Sequence, residues 1–126
     1  PSPAAFVAER WQRGDDLPGF HHVLYPDGDP RAAEVLAMLR ARHAGDARMQ
    51  QLEAFLAAAA ETSGRRPNID GMLAAICFVH GLPTTPALCM FAAGRLAGWL
   101  AHALEQQDLG MLIRPRAHYT GIAPVD

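Results

Sequence analysis

The chain has 126 residues, half of them apolar and 19% charged, with a formal net charge of −2. That length allows one domain with a modest core, and the composition is that of an ordinary globular protein. A balance this near neutrality, without a basic or acidic block, argues against nucleic acid and against an anionic membrane surface as partners.

Alanine and leucine dominate and aromatic residues make up 7%, which favours helix over strand. Ser2 followed by Pro3 reads as the cap and first position of a short helix. Ala5, Phe6, Val7 and Trp11 give that helix an apolar side, and Gly14 ends it. The stretch Leu17 to Ala32 comes next. Gly19, Pro26, Gly28 and Pro30 keep regular structure out of it, and it carries two adjacent histidines, His21 and His22. Asp29-Pro30 is a cap-plus-proline start for a second helix ending near Gly45. Asp46 caps a third, with Met49, Leu52, Phe55 and Leu56 at helical spacing, stopping at Ser63-Gly64.

After the linker Arg65 to Pro67, Asn68 caps a fourth helix from Ile69 to about His80. That helix is apolar all round, so it is expected to be buried on most sides. Gly81 to Pro83 end it, and Thr85-Pro86 starts a fifth helix running to about Gln107. The remainder, rich in Gly, Pro and Arg, reads as an extended tail. The expected fold is therefore all-α, with about five helices. Its expected parts are a helix over 1–14 leading in from elsewhere, a small domain over 15–107 and a tail over 108–126.

The apolar text from Met72 to Leu100 is interrupted by Pro83, Pro86 and Arg95, so it is not expected to span a membrane as one element. Cys77 and Cys89 both lie in apolar helical text, which predicts two buried free thiols in a reducing compartment. The chain opens without methionine, directly in helical text, and is expected to be part of a longer protein. As such a piece it should expose apolar surface, and either self-associate or hold its first helix and tail only loosely.

Four groups are candidates for chemistry. His22 sits in a rigid loop, where an imidazole can serve as acid or base, although most loop histidines are solvated. Asp70 falls in the first turn of the fourth helix, where the dipole favours a carboxylate. Plain helix stabilisation is the commoner reason for such a residue, but a carboxylate at a dry rim can also take a proton from carbon. Arg95 interrupts an apolar helix. It either snorkels to water or needs a carboxylate partner, from the protein or from a ligand. Arg31 opens the second helix beside the histidine loop. Neither the cysteines nor His43, His80, His102 and His118 have metal-ligand spacing, so no metal is expected. No Gly-rich phosphate loop of the dinucleotide or Walker type occurs.

Four ordered segments together resemble the citrate synthase family, specifically its C-terminal third. They are Pro18-Gly19-Phe20-His21-His22 with Asp29-Pro30-Arg31-Ala32, then Pro67-Asn68-Ile69-Asp70, then Phe91 to Arg95 followed by Gly98-Trp99, and finally Arg114-Pro115-Arg116 with Tyr119 and Gly121. The resemblance implies condensation of acetyl-CoA with oxaloacetate, followed by thioester hydrolysis. By it, Asp70 would take the methyl proton of acetyl-CoA and His22 would polarise the oxaloacetate carbonyl. Arg31 and Arg95 would hold carboxylates, Phe91 would line the pocket, and Arg114 would reach into a neighbouring subunit's site. Leu17, Pro18, Gly19, Phe20 and Asn68 would meet the coenzyme. The acyl-CoA would be a co-substrate with no permanently bound cofactor, and the whole protein would be a cytoplasmic homodimer.

Three departures from the family pattern stand out. The family's upstream GP-x-HG histidine segment is not in this sequence. His21 stands where the family has glycine, and Pro26 where some relatives have arginine. The chain alone is therefore expected to lack a complete active site. Two rival functions are a propionyl-CoA-using 2-methylcitrate synthase and a non-catalytic relative that binds a carboxylate or a partner.

Overall fold

A computed structural model describes residues 2–111. Its elements are five α-helices: α1 (Pro3–Gln12), α2 (Pro30–Arg42), α3 (Ala47–Ser63), α4 (Ile69–His80) and α5 (Thr85–Leu109). Among the described residues there is no strand. An isolated antiparallel bridge pairs Phe20 with Pro67. The expected all-α architecture is what the chain adopts.

The helix starts follow from short polar side chains. Ser2, Asp29, Asp46 and Asn68 each accept a hydrogen bond from a backbone N–H in the first turn of the helix they precede. Pro3 and Pro30 occupy the opening helical positions, where no N–H is needed. Gly64 and Gly81 close α3 and α4 in the left-handed conformation.

The chain divides into two units, Pro1–Gly94 and Arg95–Asp126, with the boundary inside α5. In the first unit the core has two parts. One joins α2, α3 and α4 through Ala32, Leu39, Met49, Leu52, Met72, Ala75 and Val79. The other joins α1 and α3 to the connecting loop through Val7, Leu17, Phe20, Ala58 and Ala59. Phe20 meets Phe55 edge to face, with ring centres 5.7 Å apart. Leu17 and Phe20 thus plug the histidine loop into the core, and truncating such a phenylalanine typically costs about 3–5 kcal/mol.

Burial differs from expectation in several places. In α1 only Val7 is buried, while Ala5, Phe6 and Trp11 are exposed. α1 packs on α3. In α4 the buried residues are Met72, Ala75, Cys77 and Val79, and Phe78 is exposed, so its apolar surface is only partly covered within this chain. Cys77 is a buried free thiol as expected, but Cys89 is exposed. α5 has no buried residue at all. The prolines sit at its start, leaving an uninterrupted 25-residue helix that is long and apolar enough, by length and composition alone, to cross a membrane.

The histidine loop is held against the start of α4 by backbone bonds. Asn68 N–H donates to the Gly19 carbonyl (2.8 Å), and His21 N–H donates to the Arg66 carbonyl (2.9 Å). Side chains would spoil this approach. A Cβ on Gly19 would lie 2.8 Å from Gly71 Cα, and one on Gly71 would run into the Gly19 carbonyl. Gly19 also has φ of 84°. Glycine is required at both positions, at one for the helix–loop contact and at the other for the backbone angle as well.

Two stability outcomes follow from this packing. Gly71→Ala, which in an exposed helix interior would stabilise by up to about 1 kcal/mol, is expected here to destabilise by about 1–3 kcal/mol because backbone must move. Among the described residues His21 is the non-glycine residue with positive φ, 61°, so His21→Gly is expected to stabilise by roughly 0.5–1 kcal/mol. Urea unfolding of each variant against the parent chain measures both effects.

Candidate active site

The site grows from the loop between α1 and α2. His22 begins a tight turn in which Tyr25 N–H donates to the His22 carbonyl (2.9 Å). Within it, Leu24 N–H donates to His22 Nδ1 at 3.1 Å. A nitrogen that accepts a bond carries no proton, so the neutral ring holds its proton on Nε2. His22 is half-buried, and its Nε2–H is a donor suited to a carbonyl oxygen.

Asp29 is the residue whose reach the sequence reading missed, seeing only a helix cap. Its side chain is 1% exposed. Oδ1 accepts from the Arg31 N–H (3.0 Å) and from Arg31 Nε (2.9 Å), and Oδ2 accepts from Arg31 Nη2 (2.9 Å) and from the Ile69 N–H (2.9 Å). One buried carboxylate therefore joins the first turn of α2, the Arg31 guanidinium and the first turn of α4. The D-P-R spacing was the available signal, since it sets an acid two residues before the arginine it grips.

Arg31 lies with its side chain 48% exposed. Asp29 uses its Nε–Nη2 edge, which leaves Nη1 and the second Nη2 proton free to grip another carboxylate side by side. Asp29 raises the guanidinium above its ordinary pKa, and the charges of Tyr25 and Asp70 act in the same direction. Arg31 and Asp70, far apart in sequence, thus lie within electrostatic reach of each other.

Asp70 is exposed in the first turn of α4. The neighbouring N–H groups of that turn are already satisfied: Ile69 N–H by Asp29 (2.9 Å) and Gly71 N–H by the Asn68 side chain (3.0 Å). Among the described residues, Asp70 makes no hydrogen bond or ion pair. Capping is thus left to Asn68 and Asp29, and the Asp70 carboxylate remains available.

Of the residues expected to meet a coenzyme, Leu17 and Phe20 are core residues. Asn68 is buried; beside its bond to Gly71 it donates from Nδ2 to the His21 carbonyl (2.8 Å). Their side chains are committed to holding the loop. What the loop presents is Pro18, which is exposed, and the half-buried backbone of Gly19. Pro18 and Phe20 also border an apolar groove of about 700 Å³ shared with Phe6, Phe55, Gly71 and Phe78.

His21 explains itself through the same bonds. Its N–H and its carbonyl are both tied to the linker before α4, and this holds a histidine in the left-handed region that glycine adopts freely. A glycine at this position would meet the same backbone angle without strain.

Phe91 and Arg95 lie on α5, and both are exposed. Arg95 does not show the buried guanidinium considered from its apolar surroundings, and among the described residues it forms no ion pair. Exposure favours the snorkelling alternative within this chain. Arg114 falls outside the described residues. Tertiary structure also brings His43 and His80 edge to face, with ring centres 4.7 Å apart. No group of three or more potential metal ligands occurs among the described residues.

Comparison with known proteins gives the family. The family profile described as citrate synthase, C-terminal domain, matches residues 2–116. The citrate synthase of Haloferax volcanii is 35% identical over 127 residues, covering 98% of this chain and 34% of that protein. A putative citrate synthase 2 of Mycobacterium bovis is 39% identical over 119 residues, covering 89% of this chain and 31% of that protein. The 2-methylcitrate synthase of Shewanella oneidensis is 32% identical over 116 residues, covering 90% of this chain and 31% of that protein. The chain belongs to the citrate synthase family. It spans about a third of the length of the curated relatives it matches.

The Asp29 cluster generates a pH prediction. Arg31 bonding, opposed by burial and aided by the Ile69 and Arg31 N–H groups, lowers the Asp29 pKa from 3.8 to about 2. A carboxyl group lowered on folding contributes stability above its unfolded pKa and loses it as pH falls toward the folded value. Allowing for screening of the half-exposed arginine, that contribution is roughly 1–2 kcal/mol. Asp29→Asn is expected to lose it already at neutral pH, and to show a shallower loss of stability than the parent between pH 5 and pH 2. Denaturant titrations at stepped pH read this directly.

Proposed function

We propose that the whole protein carrying this chain is a citrate synthase-type acyltransferase, joining acetyl-CoA to oxaloacetate to give citrate and CoA. The observation that carries the reading is the Asp29 bridge: Arg31 and the start of α4, where Asp70 stands, are bonded to one buried carboxylate. That bonding supports reading Arg31 as an anion grip and Asp70 as an uncommitted carboxylate held from one frame, with the His22 Nε2–H as the third working group.

In this reading Asp70 removes a proton from the methyl carbon next to the thioester carbonyl, as a positioned base must. The upstream histidine of the family would supply the donor to the developing enol from outside this chain. His22 Nε2–H hydrogen-bonds the oxaloacetate ketone, making its carbon electrophilic. As the new carbon–carbon bond forms, it donates its proton to the developing alkoxide. The free edge of Arg31 takes one substrate carboxylate, while Arg95 and a partner subunit's copy of Arg114 complete the grip. Phe91 lines the pocket. Water then cleaves the thioester and CoA leaves. The assignments of Phe91, Arg95 and Arg114 rest on the family motifs alone.

Acyl-CoA enters as a co-substrate, met by Pro18, the Gly19 backbone and the loop that Leu17, Phe20 and Asn68 hold in place. The working unit is a cytoplasmic homodimer. A second reading, propionyl-CoA in place of acetyl-CoA, is favoured by the 2-methylcitrate synthases among the relatives. A third, a non-catalytic carboxylate binder, predicts no turnover at all.

The full-length protein, assayed for oxaloacetate-dependent CoA release, separates these. Citrate formation is expected, with acetyl-CoA preferred over propionyl-CoA. Asp70→Asn should lower kcat by about 10²- to 10⁴-fold while oxaloacetate binding persists. Full activity in that variant would remove Asp70 from its role.

A further inference from the structure

Tyr25 has no part in the reaction just described, yet it stands between two of its principal groups. Its backbone belongs to two successive turns: its N–H donates to the His22 carbonyl (2.9 Å), and its carbonyl accepts from the Gly28 N–H (3.1 Å). Two consecutive turns sharing one residue fix the direction of its Cα–Cβ bond. The ring is half-buried and folds back over the loop. Its centre lies 5.1 Å from that of the His22 imidazole, with the planes tilted by 44°. Arg31 Cζ lies 5.2 Å from the same ring centre. One aromatic ring therefore touches both the imidazole and the guanidinium.

Each of those groups is otherwise restrained on one side. Leu24 N–H holds His22 at Nδ1, and Asp29 holds Arg31 along its Nε–Nη2 edge. A single hydrogen bond leaves a ring free to pivot about it. A planar side chain packed against the ring removes that freedom, and tyrosine has only two side-chain torsions to lose in doing so. The electron-rich face of the phenol also attracts the guanidinium.

We infer that Tyr25 is a positioning residue, an aromatic spacer that fixes the His22 imidazole and the Arg31 guanidinium relative to one another so that they can engage a ketone beside a carboxylate. This rests on the functional reading above and deepens it. A 2-oxo acid presents those two groups on adjacent carbons, so the donor and the grip must keep a set distance to engage both. A dicarboxylate without the ketone would use Arg31 alone. The phenol hydroxyl has no part in this, so phenylalanine can replace tyrosine.

The test has two arms. In the first, NMR of the 126-residue chain follows His22 through its three-bond χ1 couplings, with contacts from the residue 25 ring to the His22 ring protons and the Arg31 Cδ protons. The parent and Tyr25→Phe are expected to show one His22 rotamer and both contacts. Tyr25→Leu should show averaged couplings, with the backbone amides of Phe20 and Asn68 unmoved. Tyr25→Met replaces leucine if that variant fails to fold. Averaged His22 couplings in the parent, or a single rotamer kept in a folded leucine or methionine variant, overturn the proposal.

In the second arm, the full-length protein is assayed. Tyr25→Leu should raise the KM for oxaloacetate about tenfold, leave the KM for acetyl-CoA within about twofold, and be rescued by Tyr25→Phe. Equal KM values for oxaloacetate in parent and leucine variant overturn the spacer. A parent protein that forms no citrate overturns the activity instead, and the NMR arm then decides the spacer by itself.

Discussion

Asp29 reaches its neighbours through both oxygens, and each oxygen serves two donors. That is a full complement for a carboxylate, and it explains how a charged group tolerates almost complete burial. The consequence is geometric. The backbone N–H of Ile69 and the Arg31 side chain are fixed to the same group, so the start of α4 cannot shift without disturbing the arginine. Because Asp29 takes only one edge of the guanidinium, the other edge stays open to an anion. A carboxylate that merely capped α2 would have left the arginine unlinked to the start of α4.

The loop that carries His22 depends on a second constraint, the near-contact of two glycines. Gly19 and Gly71 bring backbone to backbone where no Cβ fits. Around that contact the loop is plugged by Leu17 and Phe20 into the core shared with α1 and α3. His21 is held by two hydrogen bonds in a conformation that histidine tolerates at some cost. The cost is local, because the same bonds set the direction in which the next residue, His22, leaves the loop. Strain at residue 21 and orientation at residue 22 are two aspects of one backbone arrangement.

The apolar surface left uncovered has a pattern. In the first unit, Phe6, Phe78, Val23 and Leu24 are exposed, and α5 carries a run of exposed leucines with Trp99. The chain matches about a third of its relatives' length, and apolar surface this extensive is characteristic of interaction sites. Arg95 sits within that exposed helix. Its surroundings are apolar in sequence, but in this chain they are not a protein interior.

Local features were readable from the residues alone because they are decided within a turn or two. All four polar caps, the prolines that open α1 and α2, the glycines that close α3 and α4 and the limits of α5 are short-range effects. The family was legible as well, since its segments keep their order along the chain. Burial was not. Periodicity shows that α4 and α5 are apolar, but it does not say what lies against them, so Phe78, Cys89 and Arg95 came out exposed. The long-range links between the site's parts were likewise invisible. Asp29 to Ile69 spans 40 residues, and Gly19 to Gly71 spans more; such contacts exist only once α4 has packed against the loop. Sequence determined which residues were present and where each helix began. Tertiary packing decided that an aspartate capping α2 and gripping Arg31 would also hold the start of α4, because only the folded chain brings the Ile69 N–H to the same carboxylate.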